Sequence, residues 1–97
     1  MPTHEETERF LNEYRKLRLE EQRLFDQAVA EFVAALKAHH PLPRHLGIRR
    51  FRSQKGVFEF HWAPDRRALF TYGSSPHSGD VHVIWLRIGT HDIYENG

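Results

Sequence analysis

The end of the sequence crowds polar side chains into a few positions. Gly89 is followed by Thr90, His91, Asp92 and Tyr94. Histidine is the natural proton carrier near neutrality, with an unperturbed pKa of about 6.5. The residues leading into this cluster alternate with a period of two. Ile84, Leu86 and Ile88 make one set; Val83, Trp85 and Arg87 make the other. Such alternation places the sets on opposite faces of a sheet. A strand that is buried on one face and ends in ionisable groups presents a site at the rim of a scaffold. A second candidate surface is basic. Residues 44–67 hold seven Lys/Arg and two acids, and Arg49, Arg50, Arg52 and Lys55 within it form a candidate phosphate track.

The remaining composition bounds the answer. Ninety-seven residues make one domain, read here as residues 1–97. There is no cysteine, which excludes disulfides and cysteine-based zinc sites and fits a reducing compartment. The start of the sequence is polar and acidic, with no signal peptide, and no stretch reads as a membrane span, so a cytoplasmic protein is expected. Eight histidines invite a metal reading. None stands at ligand spacing on a helix with an acidic partner, and no metal site is assigned.

Two helices must come first. Thr3 and Glu6 stand at capping-box spacing. Phe10, Leu11, Tyr14 and Leu17 follow at helical intervals, which predicts a helix over residues 4–17. A second helix begins near Leu19 and carries the stripe Leu24, Phe25, Ala28, Val29, Phe32, Val33 and Leu36. It ends before Pro41, because proline disfavours helix in the residue before it. Strands are predicted over residues 46–52, 57–63 and 67–72, with a Pro64–Asp65 turn between the last two. A loose hairpin loop then leads to the final strand.

The faces sort together. Phe58, Phe60 and Trp62, then Ala68, Phe70 and Tyr72, then Ile84, Leu86 and Ile88 are expected to face the helices. Glu59, His61, Arg67, Thr71, Val83, Trp85 and Arg87 are left on the other side. An open face with arginines and an indole suits single-stranded RNA, with Arg87 on phosphate and Trp85 stacking on a base. A partner chain covering Val83 and Trp85 is the alternative. The predicted architecture is α+β: two N-terminal helices on one face of a three- to four-stranded antiparallel sheet.

Residues 56–65, residues 67–70 and the Gly89, Thr90, His91 triplet together resemble the RelE/ParE toxin superfamily. The YafQ-like branch resembles them most. That branch has a His-x-x-Pro-Asp turn, here running from His61 to Asp65, and a Gly-Thr-His near its end. The Pro41 to Pro43 connector matches as well. The resemblance covers about residues 41–94; the helices match in pattern. It implies a ribosome-dependent endoribonuclease toxin that cleaves mRNA and represses translation, held inactive by a cognate antitoxin. ParE-like members act instead by inhibiting DNA gyrase, and an RNA-binding domain without turnover is a third possibility. His61, Asp65 and His91 match functional positions of the branch. Arg67 matches an arginine that binds the scissile phosphate, and Tyr94 falls near an aromatic that orients or deprotonates the attacking hydroxyl. Two departures stand out. A further upstream histidine has no match, since Ile48 or Arg49 occupies its place. The family's N-terminal strand also reads as missing.

The implied chemistry needs neither metal nor cofactor. The RNA 2′-hydroxyl attacks its own phosphorus, which requires a base, an acid and a cation for the phosphorane. His61 and His91 can divide the proton transfers, with Asp65 fixing one imidazole. Arg67 and Arg87 can clamp the phosphate.

Overall fold

The computed structural model describes residues 2–74 and 79–90. Five strands and two helices run in the order β1 (Thr3–Glu6), α1 (Glu8–Arg15), α2 (Leu19–Ala38), β2 (Arg49–Arg50), β3 (Val57–Ala63), β4 (Arg66–Gly73) and β5 (His82–Thr90). A single 3-10 turn, Arg44–Leu46, lies between α2 and β2. The sheet order is β1-β5-β4-β3-β2. β2 to β5 form an antiparallel meander, and β1 adds in parallel along β5. The α+β class holds, but the sheet has five strands and is mixed rather than purely antiparallel.

The fifth strand comes from residues assigned by sequence to a helix. Thr3 pairs with His82 and Glu6 with Trp85. The Thr3 hydroxyl lies 2.7 Å from His82 Nδ1, and Glu5 lies 3.0 Å from His82 Nε2. The helix cap is Thr7, not Thr3. Its hydroxyl oxygen accepts from the Phe10 N–H at 3.1 Å, and its own hydrogen goes to the Leu86 carbonyl, also 3.1 Å away. Thr3 and Thr7 are equally good caps on paper. The open edge of β5 decides between them, because its unpaired peptide groups need a strand.

Most of the core lies between the helices and one sheet face. Phe10, Phe25, Phe32, Phe60, Trp62, Phe70 and Trp85 are buried there. The Trp85 ring sits 5.1 Å from Phe60, 5.2 Å from Phe25 and 5.3 Å from Phe70. Val83 and Trp85 therefore face the helices, the reverse of the expected orientation. The cause is a β-bulge. Leu69 faces Arg87 while Phe70 faces Trp85, so Leu86 is an extra residue in β5. The bulge shifts the phase: Ile88 points to the helices as predicted, while Leu86 joins Phe51, Val57 and Leu69 in a small cluster apart from the main core. An indole buries more apolar area than any aliphatic side chain, so the core takes Trp85.

Candidate functional site

The site grows from one row of the sheet. His61 on β3 is the register partner of Arg67 on β4, and Arg67 is the partner of Gly89 on β5. Directly opposed residues in antiparallel strands have Cβ atoms about 5 Å apart. Next in line, Thr90 pairs with Arg66 and ends β5. The same end of the sheet carries the turn between β3 and β4. Of the other predicted catalytic residues, His91 and Tyr94 lie outside the described residues.

His61 is held from two sides. Its Nε2 lies 3.2 Å from a carboxylate oxygen of Glu59. An ionised carboxylate only accepts, so Nε2 carries the hydrogen and the lone pair of the neutral ring sits on Nδ1. On the other side lies Gly47. A Cβ built there would meet Nδ1 at 2.6 Å, and Gly47 holds φ +56°, a left-handed conformation. Glycine thus satisfies the backbone and keeps Nδ1 clear of side-chain atoms. The imidazole is partly open, with 24% of its side chain exposed.

Glu59 performs the orienting role that the sequence suggested for Asp65. It is only 7% exposed and also lies 3.3 Å from Arg49 Nε. Asp65 instead sits exposed in the β3–β4 turn at φ 57°, a conformation aspartate tolerates, and makes no side-chain hydrogen bond among the described residues. The alternation along β3 did place Glu59 on the His61 face, two residues before it. What it lacked was a reason to expect a buried acid, which the Arg49 register supplies.

The arginines divide sharply. Arg66 is bound to Glu21 at 2.7 Å. Glu21 also accepts the Arg18 backbone N–H, and this bond first, then Arg66, holds its carboxyl below the usual glutamate range. Arg87 is paired with Glu13 at 2.8 Å. Arg67 has no carboxylate partner among the described residues; its Nη1 donates to the Arg66 carbonyl, 3.0 Å away. On the strand next to His61, and without a counter-ion among the described residues, this guanidinium is a candidate contact for an anion.

Two predicted RNA contacts do not stand where an RNA could use them. Trp85 is 4% exposed in the aromatic core and cannot stack on a base. Arg87 is 9% exposed and its fork is engaged by Glu13. The basic run is exposed at Arg49, Arg50, Arg52 and Lys55, but Arg49 and Arg50 are consecutive in β2 and point to opposite faces. Arg49 alone of the two shares the face of His61. Other histidines serve the scaffold: His45 is 2.8 Å from Glu31, and His82 ties β1 to β5. Among the described residues no three His, Asp or Glu side chains converge as a metal site. No helix among them is long and apolar enough to cross a membrane.

No protein-family model and no curated protein matches the chain. Solved structures do match in fold. A copper-bound mutant toxin from Helicobacter pylori superposes with TM-score 0.66 at 22% identity, covering 96% of this chain and 98% of that one. YafQ in the Escherichia coli DinJ-YafQ complex gives 0.62 at 20% identity, covering 96% and 97%. A YoeB/ParE toxin from Agrobacterium tumefaciens gives 0.64 at 9% identity, covering 92% and 98%. The chain therefore shares the fold of these toxins over 92% to 96% of its length.

Proposed function

We propose that the chain is the toxin of a type II toxin–antitoxin module and cleaves messenger RNA on the ribosome without a metal ion. The observation that carries this reading is the His61–Arg67 pair at the sheet end that leads to His91. A proton carrier and a cation with no carboxylate partner among the described residues stand on neighbouring strands, a pairing that transesterification of RNA can use. The 2′-oxygen forms a bond to phosphorus as the bond to the 5′-oxygen breaks. One histidine accepts the 2′-hydroxyl proton and the other returns a proton to the departing oxygen. Arg67 balances the charge that builds on the phosphorane. Glu59 keeps His61 in one tautomer, and Tyr94 takes from the sequence resemblance the role of orienting the attacking hydroxyl. The exposed Arg49, Arg50, Arg52 and Lys55 supply the salt-dependent attraction to RNA or ribosome. A cognate antitoxin partner is supported by the structural likeness to YafQ in its DinJ complex.

Induced expression followed by mapping of mRNA ends tests the reading. Cuts within translated codons, lost in His91→Gln and reduced about 10²–10³-fold in Arg67→Ala, are expected. Gyrase inhibition with intact mRNA would replace the reading with the ParE-like one. Ribosome or RNA binding without any new ends would reduce the protein to a binding module.

A further inference from the structure

β1 covers the outer edge of β5 only as far as Trp85, the partner of Glu6. Beyond that point the chain turns into α1, whose Thr7 N–H still reaches the Trp85 carbonyl at 3.0 Å. Among the described residues no strand lies beside this edge at Arg87 and Ile88. Glu13, on the second turn of α1, takes that place. Its carboxylate accepts the Ile88 backbone N–H at 3.1 Å, Arg87 Nε at 3.0 and 3.1 Å and Arg87 Nη2 at 2.8 Å. The pair is largely withdrawn from water, with 22% of the Glu13 side chain and 10% of the Arg87 side chain exposed. One residue further on stands Gly89, opposite Arg67.

We propose that Glu13 is a positioning residue for the cleavage site. It substitutes for a strand along the last part of β5 and fixes the strand end that sets Gly89 against Arg67 and leads to His91. The role rests on the cleavage reading given above. A carboxylate with one backbone and two guanidinium donors sets both the height and the tilt of that strand end. Removing it leaves a buried N–H and a buried guanidinium without this acceptor, and the end of β5 is free to shift. A displacement near 1 Å at a reacting group is worth about 10²-fold in rate.

The test compares the parent with Glu13→Ala and Glu13→Gln in the full chain. Single-turnover cleavage on saturating ribosomes, ribosome affinity and amide exchange at Ile88 and Phe60 are measured. Glu13→Ala is expected to bind ribosomes as the parent does and to cleave about 10²-fold more slowly. Its Ile88 amide should exchange far faster, while Phe60 changes only with global stability. Glu13→Gln retains one acceptor oxygen and should recover part of both effects; it is read alone if the alanine variant fails to fold. Parent-like cleavage with an unprotected Ile88 overturns the positioning role. An Ile88 amide as protected as in the parent overturns the structural basis. A rate loss that merely follows the folded fraction also overturns the proposal. A parent that cleaves nothing overturns the cleavage reading and the positioning role with it, whereas Ile88 protection still decides whether Glu13 holds the strand end.

Discussion

Trp85→Ala separates a core indole from an RNA-stacking one. Trp85 is 4% exposed and touches rings on every side, including Phe10 at 6.0 Å and Phe32 at 6.2 Å in addition to those nearer. Truncating such a side chain loses its transfer free energy and leaves a cavity among rigid aromatics that cannot collapse. The expected loss is about 3–5 kcal/mol. A domain of this size holds about 5–15 kcal/mol in total, so the loss takes from about a fifth to all of it. With a urea m-value near 2 kcal/mol/M, a loss of about 4 kcal/mol moves the midpoint down by roughly 2 M. Trp62 remains as the fluorescent reporter, since the chain has two tryptophans. Trp85→Phe, which keeps a ring in the cluster, should lose roughly 1–2 kcal/mol. A midpoint unchanged in Trp85→Ala, together with weakened RNA binding, would refute the burial of this residue and restore the open-face interpretation.

Three further outcomes are expected. Thr7→Val removes both the helix cap and the bond to Leu86, and should destabilise by about 1–3 kcal/mol in thermal melts; Thr3→Val should not mimic the loss of the cap, which circular dichroism of α1 would report. Gly47→Ala places a Cβ against His61 at a left-handed backbone position, so it should lower stability by about 1–2 kcal/mol and slow cleavage beyond what the folded fraction explains. Burial and the hydrogen bond to Asp26 push the Tyr14 phenol up to about 12. The raised value means that its contribution is complete below the ordinary tyrosine pKa near 10 and is lost as pH rises through 12. Ultraviolet titration should find the Tyr14 phenol still protonated near pH 11, and Tyr14→Phe should diminish the late part of the curve, to which Tyr72, also raised by burial, contributes.

The sequence exposed what depends on local pattern. The α2 stripe from Phe25 to Leu36, the alternation of Phe58, Phe60 and Trp62, and the Pro64–Asp65 turn read correctly because each is fixed by neighbours a few residues away, whereas Leu24, expected in the same stripe, is 48% exposed. The face of β5 did not, because the bulge at Leu86 depends on pairing with β4 and leaves no mark in the residues of β5 alone. β1 was missed for a related reason: a His-Glu-Glu strand has weak propensity and forms because β5 needs an edge partner. His61 and Arg67 were legible as candidates, and their adjacency follows from the hairpin register. Glu59 was not, since burial of an acid is a tertiary fact. The charges of Arg66 and Arg87 looked as available as that of Arg67 until Glu21 and Glu13 were found beside them.

The parallel β1–β5 pairing also constrains the order in which the molecule can form. Thr3 and His82 are 79 residues apart, whereas β3 and β4 are joined by a two-residue turn. Bringing such distant segments together carries about 2 kcal/mol more closure entropy than a ten-residue loop, and none of it is recovered until β5 exists. During synthesis, β1, α1 and the aromatic face around Phe10 and Phe25 emerge long before Trp85 and Ile88, against which they pack. The β3–β4 hairpin and α2 can form early; the first strand and helix must wait for the last strand. Assembly of the sheet and of the candidate site thus share one late event, since the strand that completes the sheet is also the strand that delivers Gly89 to Arg67.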